Sequence, residues 1–155
     1  MSIKIAVIGA GIMGADHARI VAEDLPGASL SVVCDMDLAR AQAIADIYET
    51  EAATDPETTI ARGDVDAVIV ASPDFTHAPL SLACIAAGKK VMCEKPLSQS
   101  SSECLGVMQA EEAAGKKHVM LGFMRRYDPA YIQMKRALTD GIIGRALMLH
   151  NWHRN

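Results

Sequence analysis

Short apolar runs alternate with amphipathic stretches from one end of the chain to the other. The runs at residues 3–8, 30–34, 52–54, 67–71, 90–93 and 118–121 are too short for helices, and most are rich in Val, Ile and Ala, so they predict strands. Between them, residues 12–24, 38–49, 56–62, 79–87, 101–114 and 129–140 predict helices. Several of these carry their own start and stop chemistry. Asp37 stands as a cap before 38–49, Asp55-Pro56 and Asp128-Pro129 pair a cap with a first-turn proline, Ser100 with Glu103 has capping-box spacing, and Gly88 and Gly115 sit where helices end. Residues 146–152 read as one further strand with no following sequence to pair with, which would be an exposed edge. Strand and helix alternate without repeat, low-complexity tract or Ser/Gly linker. That pattern predicts an α/β fold, a doubly wound parallel sheet of Rossmann type with strand order 3-2-1-4-5-6.

Composition narrows the setting. At 155 residues, 50% hydrophobic and 22% charged, the chain suffices for one ordinary core. The net charge of −4, with basic pairs scattered at Lys89-Lys90, Lys116-Lys117 and Arg125-Arg126, argues against a nucleic-acid or anionic-membrane surface. No apolar run has the length of a membrane span and the start has no signal-peptide pattern, so a cytoplasmic protein is expected. Cys34, Cys84, Cys93 and Cys104 lack C-x-x-C spacing and read as buried free thiols. No metal site is expected: His150 and His153, three apart on an extended segment, would face opposite sides.

The candidate chemistry begins at Gly9-Ala10-Gly11-Ile12-Met13-Gly14, directly after the first strand. The first Gly permits the tight turn, the second lets backbone approach a pyrophosphate, and the third lets the following helix pack close to the strand. Asp35 closes the second strand, where its carboxylate would accept hydrogen bonds from both hydroxyls of an adenosine ribose. A 2′-phosphate there would oppose that carboxylate at a cost of about 4 kcal/mol, taking about 4 Å and an effective dielectric of about 20. The next residue is Met36, not an Arg that could neutralise such a phosphate, so NAD is predicted over NADP. Ser72-Pro73, Glu94-Lys95-Pro96 and Arg125-Arg126 follow the fourth, fifth and sixth strands. The whole set therefore falls at the carboxyl edge, where open α/β sheets bind ligands. A lysine is a poor base at neutral pH unless burial or a nearby positive charge lowers its pKa, and an oxidised nicotinamide ring is such a charge. Lys95 is the candidate proton acceptor.

Together, the Gly9–Gly14 loop with Asp35, the Glu94-Lys95-Pro96 triplet and the stretch Gly122-Phe123-Met124-Arg125-Arg126-Tyr127-Asp128 resemble the glucose–fructose oxidoreductase/inositol dehydrogenase/rhizopine catabolism family, over essentially the whole chain. The stretch from Phe123 to Asp128 and the terminal His153-Arg154-Asn155 look like its bacterial inositol 2-dehydrogenase branch. The resemblance implies NAD-dependent oxidation of a ring secondary alcohol to a ketone, myo-inositol to scyllo-inosose. It implies that Lys95 is catalytic, that Arg125, His153 and Asn155 face the polyol, and that Ser72, Pro73, His77 and Glu94 line the cofactor groove. Residues 1–122 would then be the NAD-binding domain, and 123–155 the linker, helix and first strand of an α/β substrate domain. Family members carry more of that domain, with an Asp-x-x-x-His pair, and their oligomers usually form through it. The chain is thus expected to be an amino-terminal half that binds NAD but turns over little alone, from a full-length homo-oligomer.

Two other classes fit parts of the pattern. A non-catalytic NAD-binding sensor would leave Lys95 and Arg125 idle. An S-adenosylmethionine binder also uses a Gly-rich loop and an acidic strand end, but has no use for Glu94-Lys95-Pro96. His17, in the first helix, reads as a structural imidazole, and His77 as either a brace or a cofactor contact.

Overall fold

A computed structural model describes residues 2–152. Its residues divide into two compact units, the first ending at Gly122 and the second beginning at Phe123. In the first unit, among the described residues, six strands form one parallel sheet: β1 (Ile3–Ile8), β2 (Ala28–Cys34), β3 (Glu51–Ala53), β4 (Ala67–Val70), β5 (Lys90–Cys93) and β6 (Val119–Leu121). Their order is β3-β2-β1-β4-β5-β6, as the alternation of elements predicts. The crossovers contain α1 (Ile12–Arg19), α2 (Leu38–Ile47), α3 (Pro56–Ala61), α4 (His77–Ala86) and α5 (Ser101–Ala113).

Each central strand is buried on both faces, which explains why these runs are almost continuously apolar rather than alternating. Ala6, Ile8, Val32, Val68, Val70 and Val91 face one layer with Ile60, Leu80 and Cys84. Ile5, Val7, Val33 and Ile69 face the other with Ala18, Val21, Ala41 and Ile44. Beyond the strand ends the ladder runs on by single bonds between neighbours. Gly9 N donates to Cys34 O (2.7 Å), Ala71 N to Ile8 O (2.8 Å), Glu94 N to Val70 O (2.9 Å) and Gly122 N to Cys93 O (2.7 Å). The loops at the carboxyl edge are thereby set by the sheet itself.

The caps follow local chemistry, with one exception. Asp37 accepts from Ala39 N (3.0 Å), and Asp55 Oδ1 from Glu57 N (3.0 Å) and Thr58 N (3.2 Å). Gly88 and Gly115, at φ +71° and +64°, end α4 and α5. Ser100, in contrast, makes no side-chain cap bond. Ser98 takes its place: its hydroxyl accepts from Ser100 N (2.9 Å) and donates to Glu103. The Ser98 hydroxyl thus stands between the Ser100 amide and the Glu103 carboxylate, the two groups that one arm of a capping box would join directly. The first helix departs from regularity as well, since α1 gives way to a π-helical turn over Ile20–Asp24.

Glu111 fastens α5 to the edge strand. Its buried carboxylate accepts from the N–H groups of His118 (2.6 Å) and Val119 (2.7 Å). Burial alone would raise this carboxyl, but those two amides and the Lys117 ammonium hold it below the ordinary glutamate range. Its contribution to stability is therefore present at neutral pH and lost as pH falls through the acid range. Glu111→Ala should destabilise the fold by about 2 kcal/mol at pH 7, because two amides lose a charged acceptor. In urea unfolding followed by circular dichroism, the gap between wild type and variant should narrow as the pH is taken below the ordinary carboxylate range.

In the second unit, a 3₁₀ turn over Met124–Arg126 precedes α6 (Pro129–Thr139). Asp128 caps this helix through Ala130 N (3.0 Å) and also accepts from Arg125 Nη1 (3.0 Å). The Ala130 amide and the Arg125 guanidinium keep its carboxyl below the usual range. The strand expected over 146–152 is not formed; the backbone there has no regular structure. A strand exists only against a partner, and no partner strand lies beside these residues among those described.

Candidate functional site

Three glycines shape the loop after β1, each for a different reason. Gly9 has φ +102°, and a Cβ there would lie 2.6 Å from the carbonyl carbon and oxygen of Ala71. It must be glycine both for its backbone angle and for the close approach of the neighbouring loop. A Cβ on Gly14 would lie 1.7 Å from Gly9 O, so α1 sits against the loop that starts it. Gly11 differs: a Cβ there would meet no heavy atom within 4 Å. The space beside it is open, at the residue that caps α1 and whose carbonyl accepts from Ala15 N (2.8 Å). Bare backbone at a helix amino end, with its N–H groups unsatisfied, is a phosphate cradle.

Asp35 stands next to this cradle. Its Oδ2 accepts from Ala10 N (2.7 Å) and its Oδ1 from Asp37 N (2.9 Å). One carboxylate thus ties the glycine loop to the end of β2, and its remaining lone pairs suit a ribose diol. A cleft of about 470 Å³ opens from here, with Gly9, Gly11, Ile12, Met13, Asp35, Met36, Ser72 and Pro73 among its lining residues. Ile12 is 90% and Met36 89% exposed, a degree of apolar exposure that suits walls for a flat ligand. Arg40, Pro56, Phe75 and Thr76 also line the cleft and went unpredicted. For Phe75 a signal existed: it is a lone aromatic in the polar turn Asp74-Phe75-Thr76. Arg40 had none, being one more basic residue on a helix. Ser72 does not stand free, since its hydroxyl lies 2.6 Å from that of Thr76.

His77 is placed beneath the groove. Only 2% exposed, its ring has Nδ1 2.6 Å from Pro96 O and Nε2 2.8 Å from Ser72 O. It braces two loops of the site against one another, and it does not line the cleft. Glu94 holds two partners, with Oε1 3.0 Å from His17 Nε2 and Oε2 accepting from Lys95 N (3.2 Å). Lys95 is exposed at the end of β5, two strands from the glycine loop in the sheet, and the Lys95–Pro96 peptide is cis. Cys93, just before it, is no candidate nucleophile. Burial pushes its thiol up to about 11, and that of Cys84 to about 12. Three of the four cysteines are buried and Cys104 is half-buried.

In the second unit, Arg125 is bonded to Asp128 and lies 5.3 Å from the centre of the Tyr131 ring. His153 and Asn155 lie outside the described residues. Among the described residues, no cluster of His, Cys, Asp and Glu could hold a metal ion, and no helix is long and apolar enough to cross a membrane.

A family model described as an oxidoreductase family with an NAD-binding Rossmann fold matches residues 3–123. The chain belongs to the Gfo/Idh/MocA oxidoreductase family. It is 50% identical over 156 residues to inositol 2-dehydrogenase 2 of Saccharopolyspora erythraea, covering 100% of this chain and 46% of that one. It is 46% identical over 154 residues to inositol 2-dehydrogenase of Rhodococcus erythropolis, covering 99% of this chain and 44% of the other. Among solved structures, myo-inositol dehydrogenase from Lactobacillus casei in complex with NAD(H) and myo-inositol superposes with a TM-score of 0.89 at 32% identity. That match covers 93% of this chain and 43% of the other. The chain spans about half the length of the relatives it matches. Residues 3–123 are the NAD-binding Rossmann fold of that family.

Proposed function

We propose that this chain is the cofactor-binding half of an NAD-dependent inositol 2-dehydrogenase of the cytoplasm, with residues 1–122 as the NAD-binding domain and 123–155 as the start of a substrate domain. The full-length protein, a homo-oligomer, oxidises a ring secondary alcohol of a polyol to a ketone, myo-inositol to scyllo-inosose. The observation that carries the cofactor reading is the Asp35 carboxylate, held by Ala10 N and Asp37 N beside a glycine loop that is open at Gly11. The substrate reading is supported by similarity over the whole chain to proteins named inositol 2-dehydrogenase.

The residues present fit a nicotinamide dinucleotide. Backbone N–H groups at the start of α1 would hold the pyrophosphate, Asp35 the adenosine ribose, and Met36, Ser72 and Pro73 the walls of the groove. When bound, the dinucleotide supplies the hydride acceptor and a positive ring. Lys95 would take the hydroxyl proton of the substrate as the carbinol carbon gives up its hydride to that acceptor, leaving the ketone. His77 keeps the Ser72 and Pro96 loops in register, and the family resemblance supports Arg125, His153 and Asn155 as the residues that bind the polyol. The choice of polyol is tested with full-length protein. Steady-state oxidation of myo-inositol against glucose and other cyclitols should favour myo-inositol.

Asp35 has its own test. Asp35→Ser removes the carboxylate that selects against a 2′-phosphate and that accepts from the ribose hydroxyls. NAD⁺ affinity of the chain should fall roughly tenfold or more, and the ratio of NAD⁺ to NADP⁺ affinity should shrink by a similar factor. An unchanged ratio in competitive calorimetry would remove Asp35 from the selectivity argument.

A further inference from the structure

We propose that His17 is a positioning residue for Lys95, acting through the Glu94 carboxylate; the inference rests on the reading of Lys95 as the proton acceptor. His17 lies on α1, three residues beyond Gly14, in the helix whose amino end forms the phosphate cradle. Its Nε2 is 3.0 Å from Glu94 Oε1, joining residues 77 apart in sequence. The other carboxylate oxygen, Oε2, accepts from the backbone N–H of Lys95 at 3.2 Å. Glu94 is therefore a link with α1 at one end and the Lys95 backbone at the other.

The surroundings leave this link little freedom. His17 and Glu94 side chains are 15% and 14% exposed. Gly122 closes one side, since a Cβ there would lie 3.4 Å from Glu94 Oε1 and 3.3 Å from Cys93 O. The imidazole itself lines an apolar groove with Ile20, Val21, Ile69 and Met92. In such low-polarity surroundings a hydrogen bond is strong and an unpartnered carboxylate is costly. With His17 removed, Glu94 Oε1 loses its partner, and the ammonium tethered nearest along the chain is that of Lys95. Pairing there would draw the Lys95 ammonium towards Glu94. Because α1 carries both the phosphate cradle and His17, the same helix that holds the dinucleotide also holds Lys95 in place.

The geometry distinguishes which replacement preserves the link. Gln places its amide nitrogen at about the reach of Nε2, whereas Asn reaches only as far as Nδ1 and falls short of Glu94. The test uses the ¹⁵N-labelled chain with His17→Gln, His17→Asn and His17→Ala, each without and with saturating NAD⁺. The Lys95 amide resonance and its hydrogen-exchange rate are followed. The expected result is an exchange rate raised tenfold or more in the Asn and Ala proteins, wild-type behaviour in the Gln protein, and NAD⁺ affinity within about threefold throughout. A Lys95 amide that is unmoved in a folded His17→Ala protein overturns the inference. So does a Gln protein as perturbed as the Asn protein, which would mark His17 as a packing residue only. If His17→Ala does not fold, the Gln and Asn pair decides. Wild-type chain that fails to bind NAD⁺ while its Lys95 amide still responds to His17 would instead count against the cofactor reading and leave the link standing.

Discussion

Lys95→Ala in a protein carrying a complete substrate domain should turn over inositol on the order of 10³-fold more slowly than wild type, with NAD⁺ affinity within about twofold. The magnitude is that of a positioned general base, and it rests on Lys95 being the exposed cation at the end of β5, at the same sheet edge as the glycine loop. NAD⁺ affinity is retained because the cradle and Asp35 lie on β1 and β2, and the Lys95 backbone is fixed by Glu94 regardless of its side chain. Steady-state kinetics paired with calorimetry separates the two quantities. Undiminished turnover would assign the proton to another group. A parallel collapse of NAD⁺ binding would mean that Lys95 holds the cofactor rather than the proton.

Gly14→Val should be the most damaging single change in the cofactor loop. A Cβ at 1.7 Å from Gly9 O is well inside van der Waals contact, and the atom it meets is backbone that cannot rotate away. Either α1 lifts off β1 or the loop changes path. Both outcomes disperse the N–H groups that meet the pyrophosphate, so NAD⁺ affinity should fall on the order of 100-fold or more and the thermal midpoint should drop. Gly11→Ala provides the contrast. Its added methyl meets nothing in the ligand-free chain, so thermal stability should hold while NAD⁺ affinity falls, because the methyl occupies the space the pyrophosphate would approach. Differential scanning fluorimetry with and without NAD⁺ separates the two cases.

Much of this was legible in the sequence because it is local. The strand order follows from alternation and the right-handed crossover rule, and the glycine loop and Asp35 from their spacing along two strands. The caps at Asp37, Asp55 and Asp128 depend on atoms within three residues of one another, and all three form. What escaped is what depends on distant or competing partners. The π-helical turn at Ile20–Asp24 has a sequence that an ordinary α-helix would accept equally well. The capping box of Ser100 and Glu103 does not close because the Ser98 hydroxyl comes between the Ser100 amide and the Glu103 carboxylate. Residues 146–152 have strand composition, but composition does not supply a neighbour.

The histidines are the sharpest case. His17 has the profile of a structural imidazole, and it is half-buried as that reading expects. Its partner, Glu94, is 77 residues away and reached only once β1, α1, β4 and β5 are assembled. His77 could have been a brace or a contact, and its two carbonyl partners, Ser72 O and Pro96 O, make it a brace. Glu94 has the position of a groove residue in sequence and points to His17 in the fold. Side-chain direction at a sheet edge is set by the helices packed alongside, and no pattern within one loop reports it.

The central claim, that this chain carries a self-sufficient NAD site selected by Asp35, is tested most directly by titrating the purified chain with NAD⁺ in a calorimeter, with NADP⁺ as the competing ligand. Saturable binding of NAD⁺ at one site, with clear preference over NADP⁺, is the result the account predicts. Binding of neither, or a preference for NADP⁺, would contradict it.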